Sequence, residues 1–327
     1  MKTEKHYFAG INANEGFVNH FSDINNSADG YTYILKGGPG TGKSTLMKTI
    51  GDYFQNMGEE VEYYHCSSDP DSLDGIYLKD RHIAIVDGTA PHVCEASIVI
   101  CKEKIVNLGE YILNSVKRHR TNIEELLPKK QHEFDLAYDI LRSAGYLYQT
   151  AEILSIPDTK NVLNEISNLV DMQPSTSYEE KRLFMSAVDY GGIYDLEPDN
   201  EYLRFITLTL SQSANHKIME QLHATLKENH ISHYTFGEIL SPDKINSIYI
   251  VDDNILVKSE HLTDTPELRL ISRETNRLVR MAGNHIRKAR KIHKRIERYY
   301  RHHINFKQIS TLTQNLIQEI QQTKRAT

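Results

Sequence analysis

Tyr31-Thr32-Tyr33-Ile34-Leu35-Lys36-Gly37-Gly38-Pro39-Gly40-Thr41-Gly42-Lys43-Ser44-Thr45-Leu46-Met47 carries a complete G-x-x-x-x-G-K-S phosphate-loop pattern. Tyr31 to Leu35 reads as a β-strand, and Leu46 to Phe54 has helical spacing, so the glycines fall at a strand-to-helix turn. Glycines there permit positive φ, which lets backbone N–H groups converge on an anion, and the helix N-terminus adds its partial positive charge. Phosphate is the expected guest. In this loop class Gly38, Pro39, Gly40, Thr41, Gly42, Lys43, Ser44 and Thr45 surround the nucleotide phosphates, Lys43 reaches the β- and γ-phosphates, and Ser44 ligates Mg2+. The expected cofactors are therefore ATP or GTP, with Mg2+.

Working outward, Val61-Glu62-Tyr63-Tyr64-His65 reads as a second strand, and His82 to Val86 as a third that ends in Asp87. An apolar strand ending in Asp, following such a loop, matches the Walker B pattern, and Asp87 is the second candidate metal-side residue after Ser44. Many ATPases place a Glu directly after that Asp, whereas this chain has Gly88. A general base must then come from elsewhere. His65, Asp69 and His92, just past the strand ends, are the candidates beside Lys43 and Asp87, although His65 also reads as an ordinary strand-end histidine and Ser68-Asp69-Pro70-Asp71 as a turn and helix cap. A metal site from His65, Cys66, His92 and Cys94 is disfavoured by its loose spacing.

Laid on itself with an offset of 172, the chain repeats: Tyr33-Ile34-Leu35 meets Phe205-Ile206-Thr207, Asp69-Pro70-Asp71 meets Ser241-Pro242-Asp243, and Gly75-Ile76-Tyr77 meets Ser247-Ile248-Tyr249. With an offset of 176, Tyr7-Phe8-Ala9-Gly10 meets Leu183-Phe184-Met185-Ser186. In this second copy Gly37, Gly42, Lys43 and Ser44 become Thr209, Ala214, Asn215 and His216, and Asp87 becomes Ser259, so the second loop is expected to bind no nucleotide. Helix-rich stretches follow each copy: 108–154 with another helix at 162–170, then a long basic helix at 266–300 and a second at 308–322. The expected organisation is an active α/β unit at 1–106, a helical arm at 107–175, a degenerate α/β unit at 176–262 and a basic arm at 263–327.

Composition bounds the rest. A chain of 327 residues, 39% hydrophobic, can bury a sizeable core. Three cysteines without a C-x-x-C pair encode neither a disulfide framework nor a standard zinc site. The absence of a long apolar run or a leader pattern gives the expectation of a cytoplasmic protein with no membrane partner. The net charge of −6 hides an asymmetry: from Arg269 to His303 twelve Lys and Arg stand against Glu274 and Glu297. Arg269, Arg273, Arg277, Arg280, Arg287, Arg290, Lys291, Lys294, Arg298 and Arg301 would present a broad stripe. Nucleic acid is one reading of it; packing against Glu124, Glu125, Glu133, Asp135 and Asp139 of the first arm is the favoured one.

Together, His6-Tyr7-Phe8-Ala9-Gly10 with Gly16-Phe17, the loop block Ile34 to Lys48, His65-Cys66-Ser67-Ser68-Asp69 with Ser72-Leu73-Asp74-Gly75, and Ile85-Val86-Asp87-Gly88-Thr89-Ala90-Pro91-His92 resemble a bacterial family of tandem P-loop ATPase or nucleotide kinase-like proteins. The resemblance implies an α/β P-loop NTPase fold, with a parallel sheet and helices on both faces, duplicated and with a helical arm after each half. It also implies nucleotide binding without naming a substrate. The family pattern has a loop in both halves, so this chain departs from it in the second. Two functions stay open: a slow Mg2+-dependent ATPase or phosphotransferase using one loop, or an ATP-gated module whose arms grip a protein or nucleic-acid partner.

Overall fold

The computed structural model describes residues 5–25, 27–91, 94–155, 166, 173–196 and 203–323. The helix expected at 162–170 and the candidate His92 lie outside the described residues, apart from Ile166. The first half runs β1 (Lys5–Tyr7), β2 (Gly10–Ala13), β3 (Gly16–Asn19), β4 (Tyr31–Lys36), α1 (Lys43–Asn56), β5 (Val61–Cys66), β6 (Asp69–Leu78), β7 (Ile83–Asp87), β8 (Glu103–Asn107) and α2 (Arg120–Leu154). The second runs β9 (Glu180–Leu183), β10 (Ser186–Asp189), β11 (Gly192–Asp195), β12 (Arg204–Leu210), α3 (Gln212–Glu228), β13 (His233–Glu238), β14 (Ser241–Ile250), β15 (Ile255–His261), α4 (Pro266–Arg301) and α5 (Phe306–Gln322).

The two sheets share one strand order. The first is β1-β5-β6-β7-β4-β8, and the second, read from its other edge, is β9-β13-β14-β15-β12. The bulge at Tyr64–Cys66 on β5 recurs at Phe236–Glu238 on β13, at the offset of 172.

Neither sheet is wholly parallel. β6 runs antiparallel to β5 and β7, and β14 to β13 and β15. The expected parallel sheet is corrected here by a hairpin where a helical crossover would be needed for parallel neighbours. Asp69-Pro70-Asp71-Ser72 reads as a turn, but Leu73, Ile76 and Leu78 of the same segment enter the core on one face while Tyr77 enters it on the other. Two hydrogen-bonded neighbours and apolar burial override the poor strand propensity of the first four residues.

Helices on both faces of a sheet are also not what forms. On one side of the first sheet Tyr33, Leu35, Ile76 and Ile85 pack on Leu46, Met47, Ile50 and Phe54 of α1 and on Ile309, Leu316 and Ile320 of α5. On the other side Tyr7, Ile34, Tyr64, Tyr77 and Val86 pack directly on Leu183, Tyr234, Phe236, Tyr249 and Leu256 of the second sheet. The far face of the second sheet is covered by Ile218, Met219, Leu222 and Leu226 of α3. The layers are helix, sheet, sheet, helix. At the central seam positions meet their own counterparts: Phe8 and Phe184 exchange both backbone hydrogen bonds at 2.9 Å, the Tyr234 hydroxyl donates to Glu62 Oε1 at 2.9 Å, and Asn12 Nδ2 donates to the Val188 carbonyl at 3.3 Å. Lys181, buried in the same seam, meets Glu62 Oε2 at 2.6 Å and Glu179 Oε1 at 2.9 Å.

The long helices α2 and α4 pack together, but through an apolar seam and not by the favoured pairing of the basic stripe with the acids of the first arm. Ala137, Leu141 and Ala144 meet Val279, Ala282 and Ile286, and Ile123 and Leu126 meet Ile296. Of the acidic candidates, Glu133 bonds to α4, through His285 Nδ1 at 2.7 Å with Lys288 Nζ at 3.8 Å. Glu124, Asp135 and Asp139 bond instead to Arg120, Gln131 and Arg142 of their own helix. Arg269, Arg273, Arg277, Arg280, Arg287, Lys291, Lys294, Arg298 and Arg301 stay exposed. No described helix is long and apolar enough to cross a membrane.

Candidate functional site

The glycine-rich loop leaves β4 at Lys36 and enters α1 at Lys43. Gly42 caps α1 at φ 91° and Gly40 sits at φ 72°, both left-handed values that favour glycine. Thr41 braces the turn, its hydroxyl donating to the Gly38 carbonyl at 2.8 Å. Lys43 is nearly buried; its Nζ donates to the carbonyls of Gly37 and Gly38 at 3.0 and 3.1 Å and lies 3.6 Å from Asp87 Oδ2. Parallel pairing of β4 with β7 sets Leu35 opposite Asp87, which is why a lysine after one strand and an aspartate ending another meet.

Asp87 is held by its own turn: Oδ1 accepts from Thr89 N at 2.9 Å and from Thr89 Oγ1 at 2.5 Å, leaving Oδ2 toward Lys43. Ser44 Oγ accepts from Leu73 N at 3.0 Å, so the β6 hairpin fixes its rotamer. One hydroxyl and one carboxylate beside the loop are hard oxygen donors of the kind Mg2+ takes, together with waters and phosphate oxygens. Thr45 is exposed on the first turn of α1.

The candidate bases are placed less openly. His65 Nδ1 is 2.6 Å from the Pro70 carbonyl and Nε2 is 2.8 Å from His6 Nδ1, so both ring nitrogens are engaged. Burial, aided by His6 and Lys48, pushes its pKa down to about 4 against the pull of the Pro70 carbonyl. Asp69 Oδ1 accepts from Arg290 Nη2 at 2.5 Å, and that guanidinium stacks over the Tyr190 ring at 4.4 Å. Asp69 thus ties the hairpin to α4, and His65 ties it to β1.

A feature that sequence reasoning missed is the cover over the loop. A Cβ on Gly38 would lie 3.3 Å from the Tyr300 ring, and one on Gly40 would lie 3.2 Å from Glu297 Cβ and from its carbonyl oxygen. These are α4 residues from the far half. A hydrogen bond from His293 holds the Glu297 carboxyl below its usual range, with Lys43 among the cations contributing. Its one sequence signal was being an acid inside a run of bases.

At the corresponding place in the second half the loop is consumed by helix. α3 begins at Gln212, where the offset would place Gly40, and the Ser211 hydroxyl caps it by accepting from Ala214 N at 3.4 Å. Asn215, standing where Lys43 would be, donates to the carbonyls of Leu210 and Glu260. His216 Nδ1 meets Glu152 Oε1 of α2 at 2.9 Å, and Tyr148 of α2 meets His261 at 3.1 Å. Each long helix therefore reaches the strand-to-helix turn region of the opposite half.

Comparison with known proteins gives short matches at the sequence level. Residues 17–78, which include the glycine-rich loop, match the family model described as Nephrocystin 3, N-terminal. A stretch of 32 residues is 56% identical to a thymidylate kinase of Protochlamydia amoebophila (strain UWE25), covering 10% of this chain and 14% of that kinase. No solved structure matches. What the chain shares with these proteins is thus a local stretch, in one case from a nucleotide kinase.

Proposed function

We propose that the loop at residues 37–45 binds the phosphates of ATP or GTP, with Mg2+ held by Ser44 and Asp87, and that the chain is a slow ATPase or phosphotransferase with one active site. The observation that carries this reading is the approach of Lys43 Nζ to Asp87 Oδ2, 3.6 Å apart, at a glycine-shaped helix N-terminus where Ser44 follows Lys43 on the first turn. Lys43 would exchange its two carbonyl partners for phosphate oxygens. Asp87 would retain Thr89 and turn its other oxygen to the metal's water shell. The metal would supply charge neutralisation of the phosphates. In this reading the α/β units are 1–106 and 176–262, the arms are 107–175 and 263–327, and the second unit is a scaffold for the first.

Slow turnover is supported by the two candidate bases among the described residues. His65 has both nitrogens bonded, Asp69 is paired with Arg290, and Gly88 follows Asp87. A second reading, nucleotide-gated movement of the arms, is favoured by the contact of Glu297 and Tyr300 with Gly40 and Gly38: a loop that tightens on phosphate shifts the helix resting on it. Calorimetry with ATP and Mg2+ tests the first reading. The wild type should bind one nucleotide per chain, and Lys43→Ala should lose most of that affinity with an unchanged far-ultraviolet dichroism spectrum. Equal affinity in the variant, or a stoichiometry of two, would refute it.

A further inference from the structure

We propose that Glu180, His223 and His233, on the outer side of the second sheet, form a binding site for a divalent transition metal of the Zn2+ type. The site is assembled from three elements. His233 opens β13, Glu180 opens β9, and the parallel register sets these two residues directly side by side. α3 lies over that end of the sheet and brings His223 to them. One ligand atom from each of the three lies within 4.8 Å of the others.

The orientation of the rings is that of ligands. His233 is fully buried, and its Nδ1 donates to the Ile231 carbonyl at 2.7 Å, which leaves the lone pair on Nε2. A backbone carbonyl on the second ring nitrogen is how metal-binding histidines are commonly oriented. That Nε2 faces His223 Nδ1 at 2.9 Å, a hydrogen-bond distance that opens by about 0.4 Å when both nitrogens sit on one tetrahedral ion with bonds of about 2.0–2.1 Å. The other nitrogen of His223, Nε2, faces Glu180 Oε1 at 3.7 Å.

The repeat supplies an internal control. At the same positions the first half has Val61 and Gly51, so this fold closes the helix over the strand without imidazoles. The second half has put two of them there. Glu180 now accepts from Tyr178 at 2.7 Å and Lys227 at 3.1 Å. Lys227 is largely exposed and can withdraw into solvent, so a bound cation replaces its charge. On binding, the proton between the rings moves from His223 Nδ1 to its Nε2, the freed Nδ1 joins His233 Nε2 on the metal, the Glu180 carboxylate turns in as the third ligand, and water takes the fourth position. Two nitrogens and one carboxylate favour Zn2+, Co2+, Ni2+ or Cu2+ over Mg2+ and Ca2+.

The test uses the untagged full-length chain, stripped with chelator and kept in saturating Mg2+, titrated with Zn2+ against a chromophoric chelator and with Co2+ by visible absorption. One ion per chain is expected, with a tetrahedral Co2+ spectrum and a raised melting temperature. His233→Val, which installs the residue of the first half, and His223→Ala should each weaken binding on the order of 100-fold or more. Either variant that melts cooperatively without metal is informative, and having both guards against one failing to fold. Lys227→Ala should bind more tightly than wild type, because it removes a competing cation; a purely structural histidine chain predicts no such gain. Absence of stoichiometric binding, or equal binding in wild type and both histidine variants, would overturn the proposal.

Discussion

Replacing Lys181 with Met removes a single charge from the seam between the two sheets and leaves the volume nearly unchanged. Lys181 is 1% exposed, and its ammonium lies 2.6 Å from Glu62 Oε2, 2.9 Å from Glu179 Oε1 and 4.2 Å from the centre of the Tyr77 ring. Methionine keeps the apolar stem against Tyr77 and Tyr234. Glu179 keeps a cation, Lys79 at 3.1 Å. Glu62, with a side chain at 0% exposure, keeps the hydroxyls of Tyr64 and Tyr234 but loses its counter-charge. Breaking a buried pair from one side typically costs about 3–5 kcal/mol. At a urea m-value of about 3 kcal/mol/M, the unfolding midpoint should fall by roughly 1–1.7 M. Adding Glu62→Gln, which keeps an oxygen acceptor for one hydroxyl and turns an uncharged amide N–H to the oxygen of the other, should recover more than half of the loss. Acid sensitivity should change too. Burial raises the Glu179 pKa, but Lys181 and Lys79 outweigh it and bring it from 4.5 to about 2, so this contribution is full above pH 4.5 and fades toward pH 2. Without Lys181 the acid transition should begin at higher pH. A loss below about 1 kcal/mol, or a double variant no better than the single one, would refute the argument that the pair is sealed from water.

Three further outcomes are expected. His65 has a folded-state pKa near 4 against an ordinary 6.5, so protonation favours the unfolded chain and stability should decline as pH falls from 6.5 to 4; His65→Gln should flatten that window in pH-dependent urea melts. Glu133→Lys should raise protease sensitivity of the α2–α4 pair by setting a cation against His285 and Lys288, whereas Glu124→Lys should not, since Glu124 bonds within its own helix. Asp87→Asn should weaken ATP binding in the presence of Mg2+ more than in its absence, measured by calorimetry with and without chelator.

The parts of this molecule that were legible in its sequence are those with local causes. The loop, β4, α1 and the strand ending in Asp87 announce themselves through glycine spacing and apolar runs, and the fixed offset pairs β5 with β13 and β6 with β14 to the residue. β6 was hidden because its first four residues have turn chemistry, and its strand character comes from neighbours on both sides. The sheet-on-sheet seam was hidden for another reason. A strand buried under a helix and one buried under a second sheet show the same apolar pattern, so Tyr7, Tyr64 and Tyr77 did not reveal that Tyr234, Phe236 and Tyr249 would cover them. Glu297 and Tyr300 reach Gly40 and Gly38 across some 250 residues of chain, and no local signal encodes such a contact.

Phe8 against Phe184, Asn12 against Val188 and Glu62 against Tyr234 are each a position facing its own repeat, which is what a two-fold axis does to an interface between identical subunits. In a dimer of separate chains every substitution enters at both sites, so neither can be lost without the other. Joining the copies in one polypeptide lifts that restriction. Glu62 and Tyr234 can then become acid and hydroxyl donor across the axis, and Lys43 can persist while Asn215 replaces its twin. The counterpart surface remains needed all the same, because it packs directly on the inner face of the first sheet. Deleting the second half would expose Ile34, Tyr64 and Val86 to water, so a truncated chain should aggregate rather than report on the isolated site.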